Sequence, residues 1–165
     1  MEDFTRFICF RLRSTMKRLD KYLAQSIEPL GINLPQSFVL LCLLEQDGAT
    51  LTEIGNRAEI ENSSLTSVVD RLENEGLVER RADLNNRRVV RLYFTDHGRE
   101  IANHLLDLGD TFNRYLERNL GEDRDHFVDC LDSVAESLDH TNNGCSVMPR
   151  YSQDKAKRPY TVKRA

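Results

Sequence analysis

Five arginines, Arg80, Arg81, Arg87, Arg88 and Arg91, crowd into the stretch VERRADLNNRRVVRLYFT of a chain whose net charge is -4. Shortly before them run Asn62, Ser63, Ser64, Thr66 and Ser67, with Arg71 one helical turn further on. Small hydroxyl side chains on one face of a helix can enter a DNA major groove without clashing and bond to phosphates or base edges. Arginines on a loop beside such a helix suit the negative potential of a minor groove. The chemistry these residues could do is nucleic-acid recognition. Ser63, Ser64, Thr66 and Ser67 are the candidate groove contacts, and Arg71 is the one long donor on their face. Arg87 and Arg88 sit at the loop, and Arg80 and Arg81 are expected nearer the phosphates.

Those side chains need a helix and a hairpin to hold them, and the surrounding pattern supplies both. Leu65, Val68, Val69 and Leu72 recur at i, i+3, i+4 and i+7, which buries one face and turns the hydroxyls outward, and Gly76 is placed to end the helix. LVERR and VVRLYFT are short β-branched segments around the polar ADLNN, the pattern of a two-stranded hairpin with a polar tip. Upstream, Thr50 and Glu53 form a capping-box signature that predicts a short helix Leu51–Ala58. The nearly unbroken apolar run SFVLLCLL predicts a buried helix, entered past an Asn33 or Leu34 cap with Pro35 in its first turn and ended at Asp47-Gly48. Phe7, Leu12, Met16, Leu19, Leu23 and Ile27 predict a long first helix from Asp3 to about Glu28, with Gly31 as its terminator. Thr95 is placed to cap a long helix of about 96–119, and Phe127, Leu131, Val134 and Leu138 mark a last helix of about 122–138. The order reads as a mainly α fold with a small β-hairpin, a winged helix-turn-helix core flanked by terminal helices.

At this point the segment LTSVVDRLENEGLVERRADLNNRRVVRLYFTDHG resembles the winged helix core of the MarR family of bacterial transcription regulators, and the likeness extends from about Phe4 to Leu138. The family carries an Asp-x-Arg signature in its wing, then a strand ending in Leu-Thr and a glycine that opens the next helix. Arg88 matches the arginine, Phe94-Thr95 the Leu-Thr pair and Gly98 the glycine, while Asn86 stands where the family has Asp. An Asn retains only a neutral hydrogen bond in place of a charge-assisted one. The resemblance implies residues 35–95 as the DNA-binding domain, with Asn62, Ser63, Ser64, Thr66, Ser67, Arg71, Arg80, Arg81, Asn86, Arg87 and Arg88 as its contacts. It implies residues 1–34 and 96–139 as dimerisation helices, since their apolar stripes exceed what one chain covers. A homodimer presents two recognition helices about one duplex turn apart, so the operator in double-stranded DNA should be pseudo-palindromic.

The family also implies a signal, either a small phenolic or aromatic effector or oxidation of a cysteine. Cys9 stands where the organic-hydroperoxide-sensing branch has its reactive cysteine, but Arg13, Leu23 and Leu34 stand at the tyrosine positions that support the thiolate there, and Tyr22 is one residue out of register. The expected function is therefore a repressor released by an aromatic ligand, with redox sensing through Cys9 as the alternative. The ligand-binding residues are not legible, because such a pocket draws on several helices. The remaining alternative is a winged helix interaction module that does not touch DNA.

Composition narrows the rest. The four cysteines include no CxxC pair, so neither zinc ligation nor a disulfide framework is suggested, and Cys42 within VLLCLL reads as core. Glu100 and His104 share a helix face but make only two ligands, and no metal or other cofactor is expected. No nucleophile-base pair, phosphate loop or metal motif indicates an enzyme. No apolar run approaches the ~18 residues of a membrane span and the start is unlike a secretory signal, so a soluble, cytoplasmic protein is expected. From His140 onward six basic residues against one acid give +5, so that the first 139 residues carry -9. Residues 140–165 are expected to form a disordered basic tail.

Overall fold

The first turns of two helices are closed by the very side chains that mark them in the sequence. In the computed structural model, which describes residues 6–83 and 86–142, Asn33 Oδ1 accepts the Gln36 amide at 3.1 Å and Gln36 Oε1 accepts the Asn33 amide at 2.9 Å. That reciprocal capping box starts α2 (Leu34–Glu45), with Pro35 in its first turn. Thr50 and Glu53 repeat the device at the start of α3 (Leu51–Ala58). α4 (Asn62–Asn74) follows α3 after a short turn.

α1 runs over Ile8–Ile27 and is drawn out by a 3-10 turn, Glu28–Leu30, before Gly31 adopts φ 74° and reverses the chain. Asp3, the expected start, lies outside the described residues, and the helix proper begins later. Phe7, the first residue of the apolar stripe, is extended and caps the helix without a side-chain bond. α5 (Asp96–Leu120) and α6 (Arg124–Asn142) follow the wing, separated by a 3-10 turn, Gly121–Asp123. α6 reaches Asn142, into the segment expected to be a tail, and the rest of that segment lies outside the described residues.

The sheet differs from the expected two-stranded hairpin. β2 (Val78–Ala82) and β3 (Val90–Phe94) pair antiparallel from Val78 with Phe94 to Ala82 with Val90, and a third strand, β1 (Ala49–Thr50), adds to the other edge of β3. Two residues are too few to show an alternation, and the Gly48 that introduces them reads in sequence as a turn alone. Gly48 has φ 87° and lies against the Tyr93 ring, where a Cβ would fall 2.7 Å from a ring carbon, so only glycine lets the strand approach. Its amide donates to the Leu92 carbonyl at 2.9 Å, and Asp47 Oδ1 accepts the Phe94 amide at 3.1 Å.

The chain divides into two compact units, Met1–Tyr115 and Leu116–Ala165. The first holds a core in which Val39, Leu40 and Leu43 of α2, Ile54 of α3, Leu65, Val69 and Leu72 of α4, and Val78 and Leu92 of the sheet are fully buried. Leu65, Val69 and Leu72 turn one face of α4 into that core, so its opposite face is obliged to point out. The second unit holds the end of α5 and α6, where Phe127, Val128, Leu131 and Leu138 are exposed. Exposed apolar side chains also line α1 and its cap, at Phe7, Ile8, Phe10, Met16 and Tyr22. No single described helix is long and apolar enough to cross a membrane.

Candidate nucleic-acid interface

On α4 the two faces separate, with Val68, expected on the buried stripe, half-buried between them. Leu65, Val69 and Leu72 are buried, and Asn62, Ser63, Ser64, Thr66, Ser67, Asp70 and Arg71 are exposed. Thr66 gives its hydroxyl proton to the Asn62 carbonyl at 3.2 Å, leaving its oxygen lone pairs and methyl group outward. Arg71 is exposed near the C-terminal end of the same helix.

The wing tip is braced from within. The Asn86 amide donates to Asp83 Oδ1 at 3.0 Å, Asn86 Oδ1 accepts the Arg88 amide at 3.1 Å, and the Asn86 carbonyl accepts the Val89 amide at 2.8 Å. Asp83 in turn takes Arg91 Nε at 2.5 Å, and Arg91 Nη1 donates to the Gly48 carbonyl at 2.9 Å. The Asp83 hydrogen bond and charge hold the Arg91 guanidinium above its ordinary pKa. The charge-assisted support that Asn86 lacks is therefore supplied three residues earlier by Asp83, and it ties the wing to β1 through Gly48. The exposed Arg87 and Arg88 side chains have no ion-pair partner among the described residues.

Arg80 and Arg81 are placed differently from the tip pair. Arg80 Nη1 meets Glu73 Oε2 at 2.5 Å and its Nη2 meets Asp70 Oδ1 at 2.6 Å, so its side chain is only 26% exposed. Burial works against its charge, but the hydrogen bonds and charges of Asp70 and Glu73 outweigh that and raise its pKa above the ordinary value. Arg81 pairs with Glu79 and lies over the Tyr93 ring, 4.8 Å from its centroid. Glu75, just past the end of α4, accepts from Gln36 Nε2 at 2.6 Å. Sequence reading missed Gln36, which is 2% exposed. Its signal was present in the N3 position of a capping box, but the long-range bond to Glu75 left no local trace.

The other candidates are dispersed. Cys9 is a free, exposed thiol in the first turn of α1 and Arg13 is exposed one turn later, while the Tyr22 ring packs on Phe112 with centroids 4.9 Å apart. Cys42 is buried, as expected, and burial pushes its thiol pKa up. Cys130 is exposed with His126 Nε2 3.8 Å from its sulfur. His104 bonds to the Glu100 backbone carbonyl at 2.9 Å, and no group of three metal-ligating side chains occurs among the described residues. Cys145 lies outside the described residues.

Comparison with known proteins agrees with this geometry. The sequence model of the MarR family matches residues 32–90, from the entry to α2 as far as the first residue of β3. The organic hydroperoxide resistance transcriptional regulator of Bacillus subtilis is 26% identical over 135 residues, 82% of this chain and 91% of that protein. The transcriptional repressor CouR, solved bound to a 23-mer DNA duplex, superposes with a TM-score of 0.73 at 27% identity over 82% of this chain and 96% of its own. BpsR of Bordetella bronchiseptica, whose DNA binding is regulated by 6-hydroxynicotinic acid, shares the fold at a TM-score of 0.72 and 20% identity, over 82% of this chain and 97% of its own. A braced arginine wing beside a hydroxyl-faced helix, on a fold shared with a repressor caught on its duplex, makes this chain similar to the winged helix DNA-binding transcriptional regulators of the MarR family.

Proposed function

We propose that the protein is a homodimeric repressor that reads a pseudo-palindromic operator with α4 in the major groove and the wing tip in the flanking minor groove. The observation that carries this reading is the exposed polar run Asn62 to Arg71 together with Arg87 and Arg88, two guanidiniums that no described carboxylate neutralises. Ser63, Ser64, Thr66 and Ser67 contact phosphates and base edges, Arg71 reaches the backbone, and Arg87 and Arg88 enter the minor groove. The exposed apolar residues of α1 and α6 support dimerisation, since patches of that kind are seldom left to water on a monomer. Two protomers place the α4 helices about one duplex turn apart.

Release by a small aromatic acid or phenol is supported by the regulation of BpsR by 6-hydroxynicotinic acid and by an open groove in this chain. Ile32, Leu34 and Ala24 give that groove apolar walls, and Gln36, Arg71 and Glu75 give it polar ends. Arg71 belongs to both the groove and the outward side of α4, so an anion held there competes with DNA for one side chain. The second reading, release by oxidation of Cys9, is favoured by the exposure of that thiol and by the similarity to the Bacillus subtilis organic hydroperoxide resistance regulator.

Fluorescence anisotropy on DNA from the protein's own promoter region tests both levels. Arg87→Ala with Arg88→Ala is expected to lower affinity and to flatten log K against log salt by about 0.9 for each phosphate that is no longer neutralised. Affinity and slope equal to wild type would remove the wing tip from the interface. Release by 6-hydroxynicotinic acid or salicylate that persists in Cys9→Ser supports the ligand reading. Release by organic hydroperoxide that Cys9→Ser abolishes replaces it with the redox one.

A further inference from the structure

We infer that Arg80 is a positioning residue of the DNA interface and makes no phosphate contact of its own: it clamps the base of the wing to α4 through Asp70 and Glu73. The inference rests on the interface proposed above and refines it.

The clamp is built from three bonds. Besides its two guanidinium contacts, Arg80 donates its backbone amide to Glu73 Oε1 at 3.4 Å, so Glu73 holds both the strand and the side chain. Asp70 takes the other guanidinium nitrogen at 2.6 Å. Asp70 and Glu73 lie one turn apart on α4, and Arg80 lies in the middle of β2, opposite Leu92 of β3. A planar guanidinium gripping two carboxylates from one helix face fixes direction as well as distance, which a flexible ammonium does not. From Arg80 the ladder runs to Ala82, and Asp83 with Arg91 continues the bracing to the tip that bears Arg87 and Arg88. The angle between the hydroxyl face of α4 and the wing arginines is thus set at Arg80. A phosphate would have to displace two carboxylates to reach that guanidinium, whereas Arg87 and Arg88 have none to displace.

The arrangement also assigns a task to acidic residues beside a DNA-reading helix. Asp70 and Glu73 together with Arg80 form a cluster of net charge -1, and Glu75 is engaged with Gln36, so these carboxylates are held in place and not free to swing toward the duplex.

Salt dependence separates positioning from contact, because only a residue that neutralises a phosphate changes the slope. Operator binding would be followed by anisotropy across a salt series for wild type, Arg88→Gln, Arg80→Gln, Arg80→Lys, and Asp70→Asn with Glu73→Gln, each checked for an intact fold by its thermal melt. Arg88→Gln should flatten the slope by about 0.9 per phosphate. Arg80→Gln should weaken the operator complex about tenfold, within the range of residues that share one ion-pair network, and leave the slope unchanged. Arg80→Lys should restore only part of the affinity. The Asp70→Asn, Glu73→Gln protein should lose as much as Arg80→Gln even though it is less acidic, and combining the changes should add little. A slope lowered in Arg80→Gln as in Arg88→Gln, or operator binding that tightens when the two acids are neutralised, overturns the inference. If Arg80→Gln does not fold, the acid-neutralised protein decides alone by the same criterion. An unchanged slope in Arg88→Gln overturns the interface itself, and the clamp with it.

Discussion

Replacing Gly98 by Ala should damage the protein far more than a single methyl group in a helix ordinarily does. Gly98 is the third residue of α5, where Ala is intrinsically the better helix former by about 1 kcal/mol. Yet a Cβ at that position would lie 1.7 Å from the Leu77 carbonyl oxygen, 2.7 Å from its carbonyl carbon and 3.1 Å from its Cα. Non-bonded heavy atoms settle at about 3.5 Å, so α5 and the Leu77 backbone must part by about 2 Å, and the obstacle is backbone that no rotamer change can move. The same carbonyl accepts the Thr95 amide at 3.2 Å, Thr95 Oγ1 donates to the Gly76 carbonyl at 2.6 Å, and the Gly98 amide donates to Thr95 Oγ1 at 3.0 Å. Separation therefore strains a set of bonds that closes the wing onto α5. Overpacking a tight contact costs about 1–3 kcal/mol, and strained hydrogen bonds add about 1 kcal/mol each. A net loss of about 3 kcal/mol after the helix-propensity gain corresponds to a melting temperature lower by about 6–12 °C for a protein of this size. Thermal unfolding followed by circular dichroism measures it. Because Leu77 leads directly into β2, the surviving folded fraction should also bind operator less tightly. A variant that melts within about 2 °C of wild type would refute the contact on which the reasoning stands.

Two further outcomes follow from the pKa directions and burial. Glu53 is held below its ordinary value of 4.5, first by the Thr50 backbone amide and then by the Thr50 hydroxyl, so its carboxylate form is the one the fold favours. Its contribution is present above pH 4.5 and is lost as pH falls through the lower folded value, and amides in the first turn of α3 should then lose hydrogen-exchange protection earlier in acid than those of α2. In Glu53→Gln that difference should disappear, and its persistence would count against the capping box. Under native conditions an alkylating reagent should modify Cys9 and Cys130 well before Cys42, whose thiol is buried and raised in pKa. Peptide mass spectrometry after timed quenching reads the order, and early labelling of Cys42 would contradict its place in the core.

The order of elements was legible because each carries a local cause. The Thr50–Glu53 box predicts α3 at the bounds observed, and the i, i+3, i+4, i+7 spacing of Leu65, Val68, Val69 and Leu72 fixes which face of α4 is outward. What was not legible depends on pairs distant in sequence. β1 is two residues long and exists because Leu92 and Arg91 offer a free edge, which no window around Ala49 contains. Gln36 and Glu75 are 39 positions apart. Arg80 shows its charge in the sequence, while the Asp70 and Glu73 carboxylates that fold back on it do not show there. Asn86 looks like a loss of wing support for the opposite reason, since the supporting acid, Asp83, sits outside the matched motif.

These long-range pairs also reconcile an acidic chain with DNA binding. Uniform negative charge would repel a duplex, but repulsion is steep only within about a Debye length, roughly 8–10 Å at ordinary salt. Arg80 pairs with Asp70 and Glu73, Arg91 with Asp83, and Arg99 with Asp47. Each pairing draws a carboxylate's field inward and leaves Arg71, Arg87 and Arg88 as the outward cations on a polar surface. Such a surface attracts DNA weakly from afar and strongly only in register, so the long-range term that normally supplies non-specific binding is small. Specificity is then gained from orientation, and orientation is what the Asp83–Arg91 brace and the Gly98–Leu77 contact hold fixed, together with Arg80.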